Sequence, residues 1–287
     1  MTPRASELLQ RAGGFVFGPV AAGRLVVFRS LFAATLLYYV AFRWRYAAEW
    51  LTPVGYHPSG GASAGFQQAV PLLSEAALPW FGVVYFSAIV ALIVGIRPRL
   101  SIWPVLLGTA YVTGADRLAA FTINKIFLGG LLILALAPPI VTDAEGRSTI
   151  RSAWPLRVLQ FTLIVQLFGA GVCKVRYGDW LAHSDTLWHQ VQLNFMTDTA
   201  AWMVRNVSMP VWAGLQHLAL VFELASPLLF TVRRLRPLGY AMGFGMFLTI
   251  SLTMRELVFF ALQMCAFFVL FVDEDRLHRL RRAFSRN

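Results

Sequence analysis

The sequence predicts an all-α protein, a polytopic transmembrane helix bundle of about eight spans with no separate soluble domain. Three observations carry that prediction. Apolar residues make up 57% of the 287 and charged residues 14%, whereas soluble chains run at roughly 45–50% apolar and about 25% charged. Mean hydropathy is +0.62, and the apolar residues fall in long blocks. At ~1.5 Å per residue, blocks of about 20 residues cross a ~30 Å hydrocarbon core. The third observation is where the charge sits. Formal net charge is +11, from 25 basic and 14 acidic residues, and only Lys125 and Lys174 among the basic ones are lysines. Most arginines flank the apolar blocks, as the positive-inside rule expects. They form no patch interleaved with aromatics of the kind that binds nucleic acid.

The elements follow in order. Residues 1–23 form a cytoplasmic N-terminal segment with Arg4 and Arg11. The first helix covers 25–42; it is too long for a signal-peptide core, and Arg43 and Arg45 follow where a cleavage site would lie. Arg29 stands one turn inside and is expected to snorkel toward the interface. Residues 43–78, with Pro53, Pro58, Gly55, Gly60 and Gly61, read as a loop. Helices over 79–96 and 100–115 are joined by a tight turn at Arg97 and Arg99, and Asp116 and Arg117 end the second. A fourth runs from near Lys125 to Pro138-Pro139, a pair that cannot donate backbone hydrogen bonds. Asp143, Glu145, Gly146, Arg147 and Arg151 mark a loop. Further helices are expected over 156–173, 210–232, 237–254 and 257–272, with a polar segment at 174–209 and a basic tail at 274–287.

Arginines at the tail, at Arg233–Arg236, at Arg97/Arg99 and at the N-terminus agree if both termini are cytoplasmic in a multi-pass cell-membrane protein. Loops 43–78 and 174–209 are then outside, and Arg43 and Arg45 run mildly against the rule. An alternative gives 100–141 one span plus a re-entrant segment. Cys173 and Cys265 fall in apolar blocks without a spacing motif and read as packing residues.

Ionisable residues in apolar blocks are costly and mark candidate sites. Lys174 ends the fifth helix, and Gln166, Ala170 and Lys174 lie at i, i+4, i+8 on one face. A lysine partly withdrawn from water can serve as a base, and a snorkelling helix-end lysine is the bland alternative. Glu223 lies mid-block in the sixth helix, with Gln216 on its face and His217 offset. Counted from Pro210 at ~1.5 Å per residue, Glu223 sits ~20 Å below the outer edge, so no direct contact with Lys174 is expected. Glu223 reads equally as a proton relay or as a carboxyl joining neighbouring helices. Lys125 reads as an interfacial anchor. Asp185 and His189 are i, i+4, but His183 faces elsewhere, so a surface Asp–His pair is expected and no metal site.

Gly171-Val172-Cys173-Lys174-Val175-Arg176-Tyr177-Gly178-Asp179-Trp180-Leu181 resembles the HTTM (horizontally transferred transmembrane) domain family, which includes vitamin K-dependent γ-carboxylase. Asn124-Lys125 leading to Pro138-Pro139, and Phe222-Glu223-Leu224-Ala225-Ser226-Pro227, are similar to two further family segments in order and spacing. The resemblance covers about residues 20–275. It implies an extracytoplasmic site, a reduced, vitamin K-like quinone as cofactor, and Lys174 as the base that deprotonates it. Lys174 and Lys125 are then the candidate catalytic residues, and Gln166, Gln216, His217 and Glu223 the candidates to hold the cofactor. The chain departs from the carboxylase pattern, which has histidines where this sequence has Lys125 and Gln216 and often one within 237–254. The large lumenal substrate domain has no counterpart here. The expected functions are therefore a quinone-linked membrane oxidoreductase or modifying enzyme, a non-catalytic membrane partner for maturation of a secreted peptide or toxin, or, third, a transporter. The expected partners are the lipid bilayer, a lipid quinone, and a secreted peptide or membrane protein, with no nucleic acid.

Overall fold

The computed structural model describes residues 3–57, 69–115, 117, 121–143 and 148–277. Pro58, Gly60, Gly61, Asp116, Glu145, Gly146, Arg147 and the tail from 278 onward lie outside them. The chain divides into two compact units, one of residues 1–157 with 274–287, the other of residues 158–273.

In the first unit, α1 (Pro3–Phe17) leads through β1 (Val20–Ala21) into α2 (Gly23–Trp44) and the short α3 (Ala47–Leu51). Then come α4 (Leu78–Val94), α5 (Pro98–Ala115), α6 (Thr122–Leu136), β2 (Ile140–Thr142) and β3 (Ser148–Ile150). α7 (Trp154–Tyr177) begins here and continues into the second unit, which adds α8 (Thr186–Val191), α9 (Asp198–Asn206), α10 (Met209–Thr231), α11 (Arg236–Thr253) and α12 (Leu257–Phe268). Each of the eight apolar blocks is a helix. Three of them, α2, α7 and α10, are long and apolar enough to cross a membrane by length and composition; α4, α6 and α12 are shorter apolar helices.

The structure adds elements that block-reading passes over. The N-terminal segment holds α1, and the two polar segments hold α3, α8 and α9. These helices are short or amphipathic, so they leave no long apolar run. α9 starts at a capping residue, Thr197, whose hydroxyl accepts from the Ala200 amide. The region after Pro139 is an antiparallel sheet in the order β1-β3-β2, pairing Val20 with Ile150 and Ile140 with Ile150. Strands of two or three residues are too short to show an alternating pattern.

Within the first unit α2 packs on α4 and α6, α4 on α5, and α5 on α6. Phe32 and Phe127 meet with ring centroids 5.0 Å apart. Gly130 makes room for them, since a Cβ there would fall 2.6 Å from the Phe32 ring. Beside this core, Arg43 donates to the Tyr39 hydroxyl (2.8 Å), and Tyr39 donates to Asn124 Oδ1 (2.9 Å). The Arg43 guanidinium also lies 4.9 Å from the Trp50 ring centroid. Arg43 is thus held by the protein at the end of α2.

In the second unit α10 packs on α11 and α11 on α12, with Phe230 stacked on Phe268 at 5.3 Å. Arg236 donates to the carbonyls of Phe230 (3.1 Å) and Phe271 (2.9 Å), satisfying groups near two helix ends. Outward faces stay apolar: Phe161 and Leu228 are 65% and 62% exposed. Such faces suit hydrocarbon surroundings.

Candidate functional site

α7 and α10 approach closely where α7 carries no side chain. A Cβ on Gly171 would lie 3.0 Å from the Cβ of Glu223 and 3.1 Å from the Leu224 amide nitrogen. One turn later the Lys174 ammonium donates to Glu223 Oε1. This corrects the sequence expectation that depth separates the two residues. That expectation started both helices at one outer boundary. In the structure α7 runs past Lys174 to Tyr177, and α10 extends beyond that end of α7. Gln216 donates to the carbonyls of Trp180 (2.9 Å) and His183 (2.7 Å) and accepts from the Leu187 amide (2.9 Å). Gln216 is therefore level with the loop beyond α7, and Glu223, two turns deeper, is level with Lys174.

The pair is asymmetric. Glu223 is buried, and its Oε2 has no hydrogen-bond partner among the described residues. The Lys174 side chain retains 26% exposure, and its Nζ lies 4.5 Å from the ring centroid of buried Trp180. Lys174 forms part of the wall of a cavity of about 350 Å³ between α10, α11 and the segment around Trp180–Val191. Trp212, Phe222, Met242, Met246 and Ile250 supply apolar lining. The Trp212 indole nitrogen is buried, with no hydrogen-bond partner among the described residues. Thr249 and Thr253 also line it, but their hydroxyls are spent on carbonyls one turn back in α11.

The remaining candidates separate. Gln166 is half-buried on α7 two turns before Lys174 and does not line the cavity. Gln216 is fully buried, with its amide committed to the loop. His217 is exposed, its Nδ1 2.6 Å from the Ala213 carbonyl oxygen. Lys125 is exposed on α6 and belongs to the other unit, whereas its neighbour Asn124 is buried. Asp185 and His189 pair at 3.3 Å, and among the described residues no group of three His, Cys, Asp or Glu side chains could hold a metal ion. Cys173 and Cys265 are free thiols.

Sequence reasoning missed Trp212 and the α11 lining. A signal existed: Trp212, Gln216, Ala219 and Glu223 recur at i, i+4, i+7, i+11 and so share one helix face. Chemically, the arrangement offers a lysine amine, a buried carboxyl able to share its proton, and an apolar chamber of the size that receives small ligands. Comparison with known protein families, with characterised proteins and with solved structures finds no match to this chain.

Proposed function

We propose that the chain is an HTTM-type membrane protein whose cavity receives a reduced, vitamin K-like quinone and whose Lys174 takes a proton from it. The observation that carries this reading is Lys174 in the wall of a mostly apolar chamber, paired behind that wall with the buried Glu223. When Glu223 holds the shared proton, the Lys174 amine has a free lone pair. A reduced quinone held in the chamber would supply an acidic O–H, and Lys174 Nζ would be the group placed to take up that proton while Glu223 keeps the one it shares. Trp212 Nε1 is a donor suited to a quinone oxygen. The sequence segments around Lys174, Asn124-Lys125 and Glu223 support the family assignment.

The test is mass spectrometry of lipids retained by gently purified full-length protein, followed by binding of added menaquinol. Wild type carries or binds the quinol, and Lys174→Met keeps binding but loses the quinolate absorbance. Absence of any quinone, with no binding of added menaquinol, ends the proposal.

The same reading takes the eight apolar helices as eight spans with both termini cytoplasmic. α4 and α6, at 17 and 15 residues, then cross through local bilayer thinning and flanking anchors. Reporter fusions test this: fusions at residue 287 should report the cytoplasm and insertions near residue 56 the outside. One observation favours a second reading, a non-catalytic partner for a secreted peptide. Gln216, which stands where the carboxylase pattern has a histidine, is spent on the loop and does not line the chamber. Folded protein that binds no quinol but co-purifies with such a peptide would favour it.

A further inference from the structure

The first unit holds a second cavity, of about 470 Å³, unrelated to the lysine chamber. It is lined by the start of α2, the start of α5, the end of α6 and β3. Three arginines border it: Arg29 from α2, Arg97 from the α4–α5 turn and Arg99 from the start of α5. No acidic residue lines it among the described residues. Its other walls are apolar, including Leu25, Ile102 and Leu134.

The arginines are arranged, not scattered. Arg29 lies inside the first apolar block, yet its Nε is buried and has no hydrogen-bond partner among the described residues. Its guanidinium lies against Gly95, where a Cβ would fall 2.9 Å from Nη2. Gly95 itself has φ +85, a conformation in which a side chain would be strained. Arg97 holds φ 41, a left-handed conformation that costs a non-glycine residue about 1 kcal/mol. The turn and the first residues of α5 thus bring the exposed Arg97 and Arg99 to the mouth of a cavity that already contains the half-buried Arg29. Guanidinium groups match phosphate oxygens with paired donors. A phosphate at the mouth with hydrocarbon against the inner walls satisfies both halves of the site.

We infer that this cavity binds the phosphate group of an amphipathic anion, an anionic phospholipid in the leaflet at the arginine-rich end of the helices. Basic pockets between membrane helices take such headgroups. The shared chemistry is a phosphate group, which an acyl-free polyphosphate could also supply. Full-length protein in mild detergent is tested by native mass spectrometry with dioleoyl-phosphatidylglycerol or dioleoyl-phosphatidylcholine, and by thermal unfolding with sodium pyrophosphate. Wild type should retain phosphatidylglycerol at least about fivefold over phosphatidylcholine, the discrimination expected of one well-placed arginine near the surface. Arg97→Gln with Arg99→Gln, both exposed and expected to fold, should abolish that preference, as should Arg29→Gln. Arg29→Lys should retain part of it, and Arg234→Gln should leave it intact. Arginine-dependent protection by pyrophosphate without lipid preference assigns the phosphate site to a soluble anion. Equal retention of the two lipids without pyrophosphate protection, or binding unaffected by the double substitution, overturns the inference.

Discussion

Each unit contains one of the chain's two lysines, and the two are treated oppositely. Lys125 stands exposed on α6, while the neighbouring Asn124 turns inward to accept from Tyr39 and donate to Thr113. Lys174 sits on α7 a similar distance from a polar segment, yet it is drawn against Trp180 and onto Glu223. The difference lies in the partner helix. α10 reaches past α7 and delivers a carboxylate at the depth of Lys174, and Gly171 lets the two backbones approach. A charge in an apolar helix becomes a site only when a second element meets it at the same level.

That contrast can be broken experimentally, beginning with the largest effect. Lys174→Met strands the Glu223 carboxyl and should cost about 3–5 kcal/mol, seen as a lower unfolding temperature in detergent. The double variant Lys174→Met/Glu223→Leu should recover most of that loss; no recovery would mean the pair is not what joins α7 to α10. Gln216→Ala orphans two carbonyls and one amide and should cost about 2–3 kcal/mol. Its effect should be local, with hydrogen exchange rising across 180–187 and little elsewhere. Asn124→Leu removes the acceptor of Tyr39 and should cost about 1–2 kcal/mol. Lys125→Ala should change stability by no more than about 0.5 kcal/mol. An effect of Lys125→Ala equal to that of Lys174→Met would erase the distinction.

The helices were legible because apolar runs report their own length. All eight blocks appear within a few residues of their predicted ends, apart from α7, which runs one turn longer to Tyr177, and α12, which ends one turn earlier at Phe268. The short strands around Ile150 and the short helices α8 and α9 were not, since two- to nine-residue elements carry too little pattern. Of the site, Lys174 and Glu223 could be named individually from their cost in an apolar block. Their contact could not, because relative depth depends on how far α10 extends past α7, and that is fixed by the Gln216 hydrogen bonds to Trp180, His183 and Leu187. Trp212 was hidden for a different reason: a tryptophan in an apolar helix looks like core until the cavity beside it is seen.

The joining of α7 and α10 also has a history in time. Lys174 and Glu223 are 49 residues apart in the chain. At a synthesis rate of about 5–20 residues per second, the lysine emerges roughly 2–10 seconds before its carboxylate exists. On the proposed reading that α7 spans a membrane, it would wait through that interval with a lysine near its end and no carboxylate to meet it, until α10 arrives. The pair would then mark the order of assembly: a nascent chain truncated before Glu223 should leave α7 loosely held and open to extraction, and one extended past it should not.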